Sequence, residues 1–256
     1  MPHKLGQVFL KDPHILKKIV DQSFLDDKSI VLEIGCGDGD LSCVLAPKVK
    51  HLYIVELDTH CIEKTKERLA SFSNVSFIHE DILRVDCSQF PSPLIVIANI
   101  PYYISAKIMK WCIANKQYLN KCVLMVQKEF CEKLVALPGQ ALYSSLGVYV
   151  SAFFSVKKLF NVSRQCFRPI PKVDSSVMLV VPSNAYAYPA DSRLFDMIRT
   201  GFWGRRKPFK SALKKSPYGT FSFLDSCPEN IQELIKKRAE KLSLDEFILV
   251  YKSLQC

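Results

Sequence analysis

Five short apolar runs constrain this chain more than any other feature. Residues 29–34, 51–55, 75–79, 94–98 and 122–126 each suit a buried strand and are short for a helix. Segments with helical spacing separate them. The first strand is preceded by 13–24, with Ile15, Leu16, Ile19, Val20 and Phe24 at helical intervals, and later strands are separated by 41–45, 61–69 and 104–113. Such alternation predicts a mostly parallel sheet covered by helices on both faces, an α/β fold. Runs at 149–156 and 175–181 are expected as later strands, antiparallel at one edge. The run PSNAYAYP at 182–189 reads as a linker. Beyond it, 194–202, 209–213, 231–239 and 244–254 are expected to form a small helical domain, dividing the chain into 1–182 and 183–256.

With 256 residues, 48% of them hydrophobic, there is material for one large core and a smaller second one. The ten cysteines include no CxxC pair and only five histidines accompany them, so a zinc site is not expected. They fit a reducing compartment, and a cytoplasmic location is expected. No export segment is expected in MPHKLGQVFLKD, and the longest apolar stretch, LGVYVSAFF, is too short to span a bilayer. The net charge of +10 favours a polyanionic partner.

The sharpest local motif runs from Val31 to Gly39, VLEIGCGDG, between a strand and a helix. Gly35 and Gly37 allow a tight backbone turn beside a ligand. The spacing GxGxG lacks the third glycine of a dinucleotide loop. Three acids fall at neighbouring strand ends: Glu33, Glu56 and Asp81. An acid after the second strand suits ribose hydroxyls, and one after the third suits an adenine amine. Three carboxylates disfavour a pyrophosphate and favour a cationic sulfonium, so S-adenosylmethionine is the expected cofactor. The competing reading is that these acids cap helices.

After the fourth strand stands Asn99-Ile100-Pro101-Tyr102-Tyr103. Pro101 lacks an amide donor and holds Ile100 extended. The Asn99 amide oxygen and the Ile100 carbonyl could then converge on an amino group with two hydrogens, such as adenine N6. Tyr102 is expected to stack on one face of the base and Phe167 on the other. Ordinary core packing is the alternative for both rings.

Taken in order, the motifs GQVFL at 6–10, EIGCGDG at 33–39, ELD at 56–58, ED at 80–81, NIPYYIS at 99–105, FRPIPKVDSSV at 167–177 and FWGRRKPFKSAL at 202–213 resemble the ribosomal RNA adenine dimethyltransferase family, in its bacterial small-subunit form. The resemblance covers nearly the whole chain. It implies a Rossmann-like class I methyltransferase sheet flanked by helices, with a small C-terminal helical domain. It also implies S-adenosyl-L-methionine as donor and two adjacent adenines near the 3′ end of small-subunit RNA as targets, within an assembling subunit. The cofactor-binding residues it implies are Gln7, Val8, Leu10, Gly35, Gly37, Glu56, Asp81, Ile82 and Asn99. Asn99, Ile100, Tyr102 and Phe167 are the catalytic set. Val8 stands where the family usually has a hydrogen-bonding side chain, so weaker or rearranged cofactor binding is expected.

Residues 199–215 carry seven cations and no acid, and 157–172 carry five and no acid. Lys157, Lys158, Arg168, Lys172, Arg199, Arg205, Arg206, Lys207 and Lys210 are expected to meet RNA phosphates. A monomer is expected, with no membrane partner. A large-subunit adenine methyltransferase and a non-enzymatic RNA-binding assembly factor on the same fold remain alternative readings.

Overall fold

The computed structural model describes residues 8–183, 192–221, 224 and 226–254. The first helix shows why elements start and stop where they do. In α1 (Pro13–Asp21), Asp12 accepts from the His14 and Ile15 amides as N-cap, Pro13 opens the first turn, and Leu16, Ile19 and Val20 are buried. The helix ends before Phe24, whose φ of 46° breaks the spiral and leaves the ring 74% exposed. Helical spacing had suggested that Phe24 belongs to the buried face.

A seven-stranded sheet follows. Its parallel members are β2 (Ile30–Ile34), β3 (His51–Glu56), β4 (Val75–His79), β5 (Leu94–Asn99) and β6 (Leu119–Gln127), where β1 is the short strand Phe9–Leu10. Helices α2 (Asp40–Leu45), α3 (Thr59–Arg68) and α4 (Ser105–Ala114) lie between them in sequence. Helices α5 (Lys128–Val135) and α6 (Ser145–Ser151) then precede β7 (Phe154–Val162), β8 (Phe167–Arg168) and β9 (Ser175–Pro182). The sheet order is β4-β3-β2-β5-β6-β9-β7, and β9 runs antiparallel to β6 with Gln127 opposite Ser175. The order reverses between β2 and β5, which opens a crevice beyond their carboxyl ends. Strand β1 pairs with β8, Leu10 opposite Phe167, as a separate two-stranded ladder.

Near-continuous apolar strands fit a sheet buried on both faces: Val31, Leu32, Leu52, Ile54, Val96, Ile97, Val123 and Leu124 are all fully buried. Residues 149–156, expected as a strand, instead contain the end of α6 and the start of β7. Ser144 caps α6 by accepting from the Gly147 amide, and a Cβ on Gly147 would lie 2.5 Å from the Lys133 carbonyl oxygen. Local capping and close packing thus override a β-rich composition.

Two compact units result, one of residues 1–131 and 156–182, the other of 132–155 and 183–256. The second unit contains α6, α7 (Ser192–Trp203), α8 (Phe209–Lys214), α9 (Glu229–Lys236) and α10 (Leu244–Ser253). Its core gathers Leu194, Ile198, Phe209, Ile235 and Phe247, and a capping box of Ser243 and Glu246 starts α10. Most of the expected linker, at 184–191, lies outside the described residues. Among the described residues no helix is long and apolar enough to cross a membrane, and no group of three or more His, Cys, Asp or Glu is placed to hold a metal.

Candidate active site

Strand register builds the site. The Gly35 amide donates to the Val55 carbonyl at 2.9 Å and the Ile100 amide to the Met125 carbonyl at 3.0 Å. The chain after β2 and the chain after β5 are therefore pinned to neighbouring strands at the same, carboxyl end of the sheet. Gly35 and Gly37 have φ of 74° and 52°, conformations that favour glycine. At Gly37 there is also no room: a Cβ would lie 2.7 Å from the ring of Phe9, so β1 sits directly against the loop.

A cleft of about 280 Å3 opens between these loops. Of the expected site residues, Val8, Leu10, Gly35, Gly37, Glu56, Asn99, Ile100 and Tyr102 line it. Asn99 donates its amide N–H to the Val8 carbonyl oxygen at 3.4 Å, which assigns its Oδ1 as the acceptor on the other side. Position 8 thus meets Asn99 through its main chain. Tyr102 is half-buried, and its hydroxyl lies 2.8 Å from Ser175 Oγ, at the start of β9. Burial raises the phenol above its ordinary pKa, so it stays neutral.

The acids divide by environment. Glu56 Oε1 accepts from the Leu57 and Asp58 amides at 2.8 and 3.0 Å, and Oε2 from the Gly37 amide at 3.3 Å. Glu33 is fully buried, and Ser42 donates to its Oε2 at 2.6 Å. Its Oε1 has no hydrogen-bond partner. Burial, aided by the nearby Glu56 carboxylate, pushes the Glu33 pKa up to about 8 against the Ser42 hydrogen bond. A buried, unpartnered carboxylate oxygen in a cleft wall suits a cationic ligand group. S-adenosylmethionine, with its ammonium and sulfonium, fits this donor-poor, acid-lined wall.

Several site features were not anticipated. Asp38, in the glycine loop, and Asp40, the first residue of α2, bind Lys11 at 2.6 Å each; Lys64 also binds Asp38 at 2.6 Å, and Arg68 binds Asp40 at 2.8 Å. Partial burial works to raise both carboxyls, but the charged hydrogen bonds prevail and hold them below the usual carboxylate range. With these aspartates paired and Glu33 protonated below about pH 8, the cleft's negative potential near neutral pH comes mainly from Glu56. The signal in the sequence was a lysine, Lys11, next to the GQVFL motif, while the anchoring role of Ser175 lay in the final DSS of PKVDSS.

Three expected site residues lie outside the lining of this cleft. Phe167 is fully buried in the same core cluster as Leu10, Val162 and Val177 and does not line the cleft, so core packing prevails over base stacking there. Asp81 and Ile82 also lie outside the lining. Asp81 accepts from the Leu83 amide at 3.0 Å as the cap of a short turn, and Ile82 is buried. Gln7 lies outside the described residues.

Among the expected RNA contacts, Lys157, Lys158, Arg168, Lys172, Arg206 and Lys207 are exposed. Lys210 is half-buried. Arg199 stacks 3.7 Å from the Tyr218 ring centroid, and Arg205 is held by Glu240 at 2.7 Å and the Ala141 carbonyl at 3.0 Å. Both of these arginines thus make internal contacts.

Known proteins resemble this chain in sequence and fold. A family model described as ribosomal RNA adenine dimethylase matches residues 2–255. A ribosomal RNA small subunit methyltransferase A of Thermotoga petrophila is 36% identical over 98% of this chain and 92% of its own. Its namesake from Chlorobium phaeobacteroides is 34% identical over 98% and 93%. A crystal structure of a dimethyladenosine transferase from Plasmodium falciparum superposes with a TM-score of 0.83 at 28% identity, covering 96% of this chain and 97% of that one. The 23S rRNA methyltransferase ErmE shares the fold, with a TM-score of 0.71 at 22% identity over 97% and 100%. With its class I methyltransferase sheet, its acid-walled cleft and a family match from end to end, the chain belongs to the ribosomal RNA adenine dimethylase family.

Proposed function

We propose that this chain dimethylates N6 of two adjacent adenosines near the 3′ end of small-subunit ribosomal RNA, within an assembling subunit, as a cytoplasmic monomer. The observation that carries this reading is the fixed Asn99 amide. With Nδ2 committed to the Val8 carbonyl, Oδ1 is the atom presented to a substrate amine. The Ile100 carbonyl is the second acceptor; the preceding peptide, Asn99–Ile100, is held by the Ile100 amide's bond to the Met125 carbonyl. Accepting both N6 hydrogens would turn the nitrogen lone pair out of conjugation with the ring. The same oxygens stabilise the positive charge that grows on nitrogen. The tethered Tyr102 ring offers a wall for the base, and stacking of this kind is worth about 1–3 kcal/mol. No strong base is needed, because the alkylated nitrogen is itself acidic and loses its proton readily.

Glu33 and Glu56 would hold the cofactor's cationic and ribose parts, with Gly35 and Gly37 giving it room. Asp81, two residues beyond β4, stands near the strand end where the resemblance puts the adenine. S-adenosylmethionine, when bound, supplies an electrophilic methyl group on a positively charged sulfur. Support for the small-subunit target comes from the names of the relatives in Thermotoga and Chlorobium.

The test is methyl transfer from labelled S-adenosylmethionine to small-subunit particles, followed by mapping of the modified nucleotides. Two adjacent dimethyladenosines are expected. Label found only in large-subunit RNA would favour the large-subunit reading. A folded protein that binds RNA and transfers nothing would favour the assembly factor. Asn99→Ala should lower turnover by about a hundredfold, on the scale of one lost oxyanion-type contact, while cofactor affinity changes far less.

A further inference from the structure

The two tryptophans of this chain sit in opposite environments. Trp111 is buried, and its indole N–H donates to the Val85 carbonyl at 2.7 Å. Trp203, the last residue of α7, is 50% exposed. The preceding ring, Phe202, packs inside the unit, 5.6 Å from Tyr143 and 6.3 Å from Phe247 between ring centroids.

The turn after Trp203 is built to keep cations beside it. The Lys207 amide donates to the Gly204 carbonyl at 2.7 Å, and the Lys207 ammonium lies 5.8 Å from the Trp203 ring centroid. A Cβ on Gly204 would lie 2.6 Å from the Ala212 Cβ, so α8 packs tightly against the turn. Arg205 anchors it from the other side through Glu240 and the Ala141 carbonyl. Arg206 and Lys207 are left facing solvent.

We propose that Trp203 is a stacking platform for one unpaired nucleotide of RNA, with Arg206 and Lys207 engaging the adjoining phosphates. An indole left in water forfeits the gain of burial, and a flat base restores it at any sequence. The flanking cations, in a stretch from 199 to 215 without one acid, choose a polyanion over an apolar protein face. A protein covering Trp203 would have to bury Arg206 and Lys207 as well, at a cost in desolvation. The inference rests on RNA being the substrate, and it adds a residue and a subsite outside the cleft.

Tryptophan emission tests it directly, because buried Trp111 provides a constant background. The full chain, without cofactor, is titrated with a single-stranded RNA of about eight nucleotides and with a blunt duplex of equal length. Binding is followed independently by anisotropy. The single strand should quench emission, and the duplex should bind without quenching. Trp203→Phe should keep most of the affinity and lose the quench. Trp203→Ala should bind about tenfold more weakly, within the range for one lost stack, at an unchanged salt slope. Replacing Arg206 and Lys207 together by Ala should lower that slope by about 1.4. Three results would overturn the proposal: no binding at low salt, binding without a change in Trp203 emission, or Trp203→Ala binding like the wild type. Quenching by anionic vesicles as strong as by RNA would overturn it too. Loss of methyl transfer with the quench intact would strike the proposed reaction alone.

Discussion

Glu33 concentrates the chemistry of the cleft in one residue. Its carboxyl is fully buried, holds one serine hydroxyl and leaves Oε1 without a partner. The other titratable groups around it are Glu56, Cys36 and Cys43, and Glu56 opposes its ionisation. In the folded chain it keeps its proton up to about pH 8, against an ordinary value of 4.5. Between those values unfolding releases a proton, so stability falls as pH rises, by up to about 1.4 kcal/mol per unit. Glu33→Gln removes that slope. Thermal melts should show the variant more stable than the wild type at pH 8 and equal to it near pH 4.5. A bound cation would draw the carboxyl toward ionisation, so calorimetry should show cofactor affinity rising toward pH 8 in the wild type and flat in Glu33→Gln. Equal pH profiles for the two proteins would remove Glu33 from the cleft's electrostatics. The sequence placed this acid, and the glycines beside it, from strand-end spacing alone. It could not show the unpartnered oxygen, because burial and hydrogen bonding are properties of the packed chain. Val8 illustrates the same limit: the side-chain type could not show that the Val8 carbonyl accepts from the Asn99 amide.

At the scale of elements, the ladder of β1 and β8 organises the entrance of the site. It sets Leu10 opposite Phe167 and brings Phe9 against Gly37. Both strands are two residues long, too short to leave a periodic signal, so they were invisible to pattern reading. That is why Phe167 looked like a stacking ring in a motif-rich segment, when its register partner makes it core. Phe167→Ala should cost about 3–5 kcal/mol of stability, and Phe167→Leu should restore most of it. Steady-state methylation by Phe167→Leu should then approach wild type at a temperature where both are folded. A Phe167→Leu protein of full stability and greatly raised KM for RNA would return the ring to the substrate. The parallel strands β2 to β5, by contrast, were legible to within a residue, since buried runs between helical segments admit few other folds, while β6 runs from Leu119 to Gln127 around the expected 122–126. The 149–156 run failed because β-branched and aromatic residues also suit a short buried helix once Ser144 caps it.

For the whole molecule, a net charge of +10 is spread over both compact units. Lys157, Lys158 and Lys172 belong to the unit that holds the cleft, and Arg206 and Lys207 to the helical unit. The sequence suggested one division near 182. The chain instead lends 132–155 to the helical unit, a choice made by packing between α6 and α7 that no composition shift announces. Arg199 and Arg205 show that counting cations overstates the RNA-facing charge, since both make internal contacts. Counterion release turns this into a measurement: each phosphate contact adds about 0.7 to the salt slope on a single strand and about 0.9 on a duplex. Replacing Lys157 and Lys158 together by Gln should lower the slope by about 1.4–1.8, and Arg205→Gln should leave it unchanged while lowering the melting temperature. If RNA engages both units, combining the Lys157/Lys158 pair with the Arg206/Lys207 pair should lower the slope by the sum of the two effects. A slope that responds to one pair alone would confine RNA to that unit, and the charge of the other would then act only through long-range attraction, which changes the association rate more than the dissociation rate.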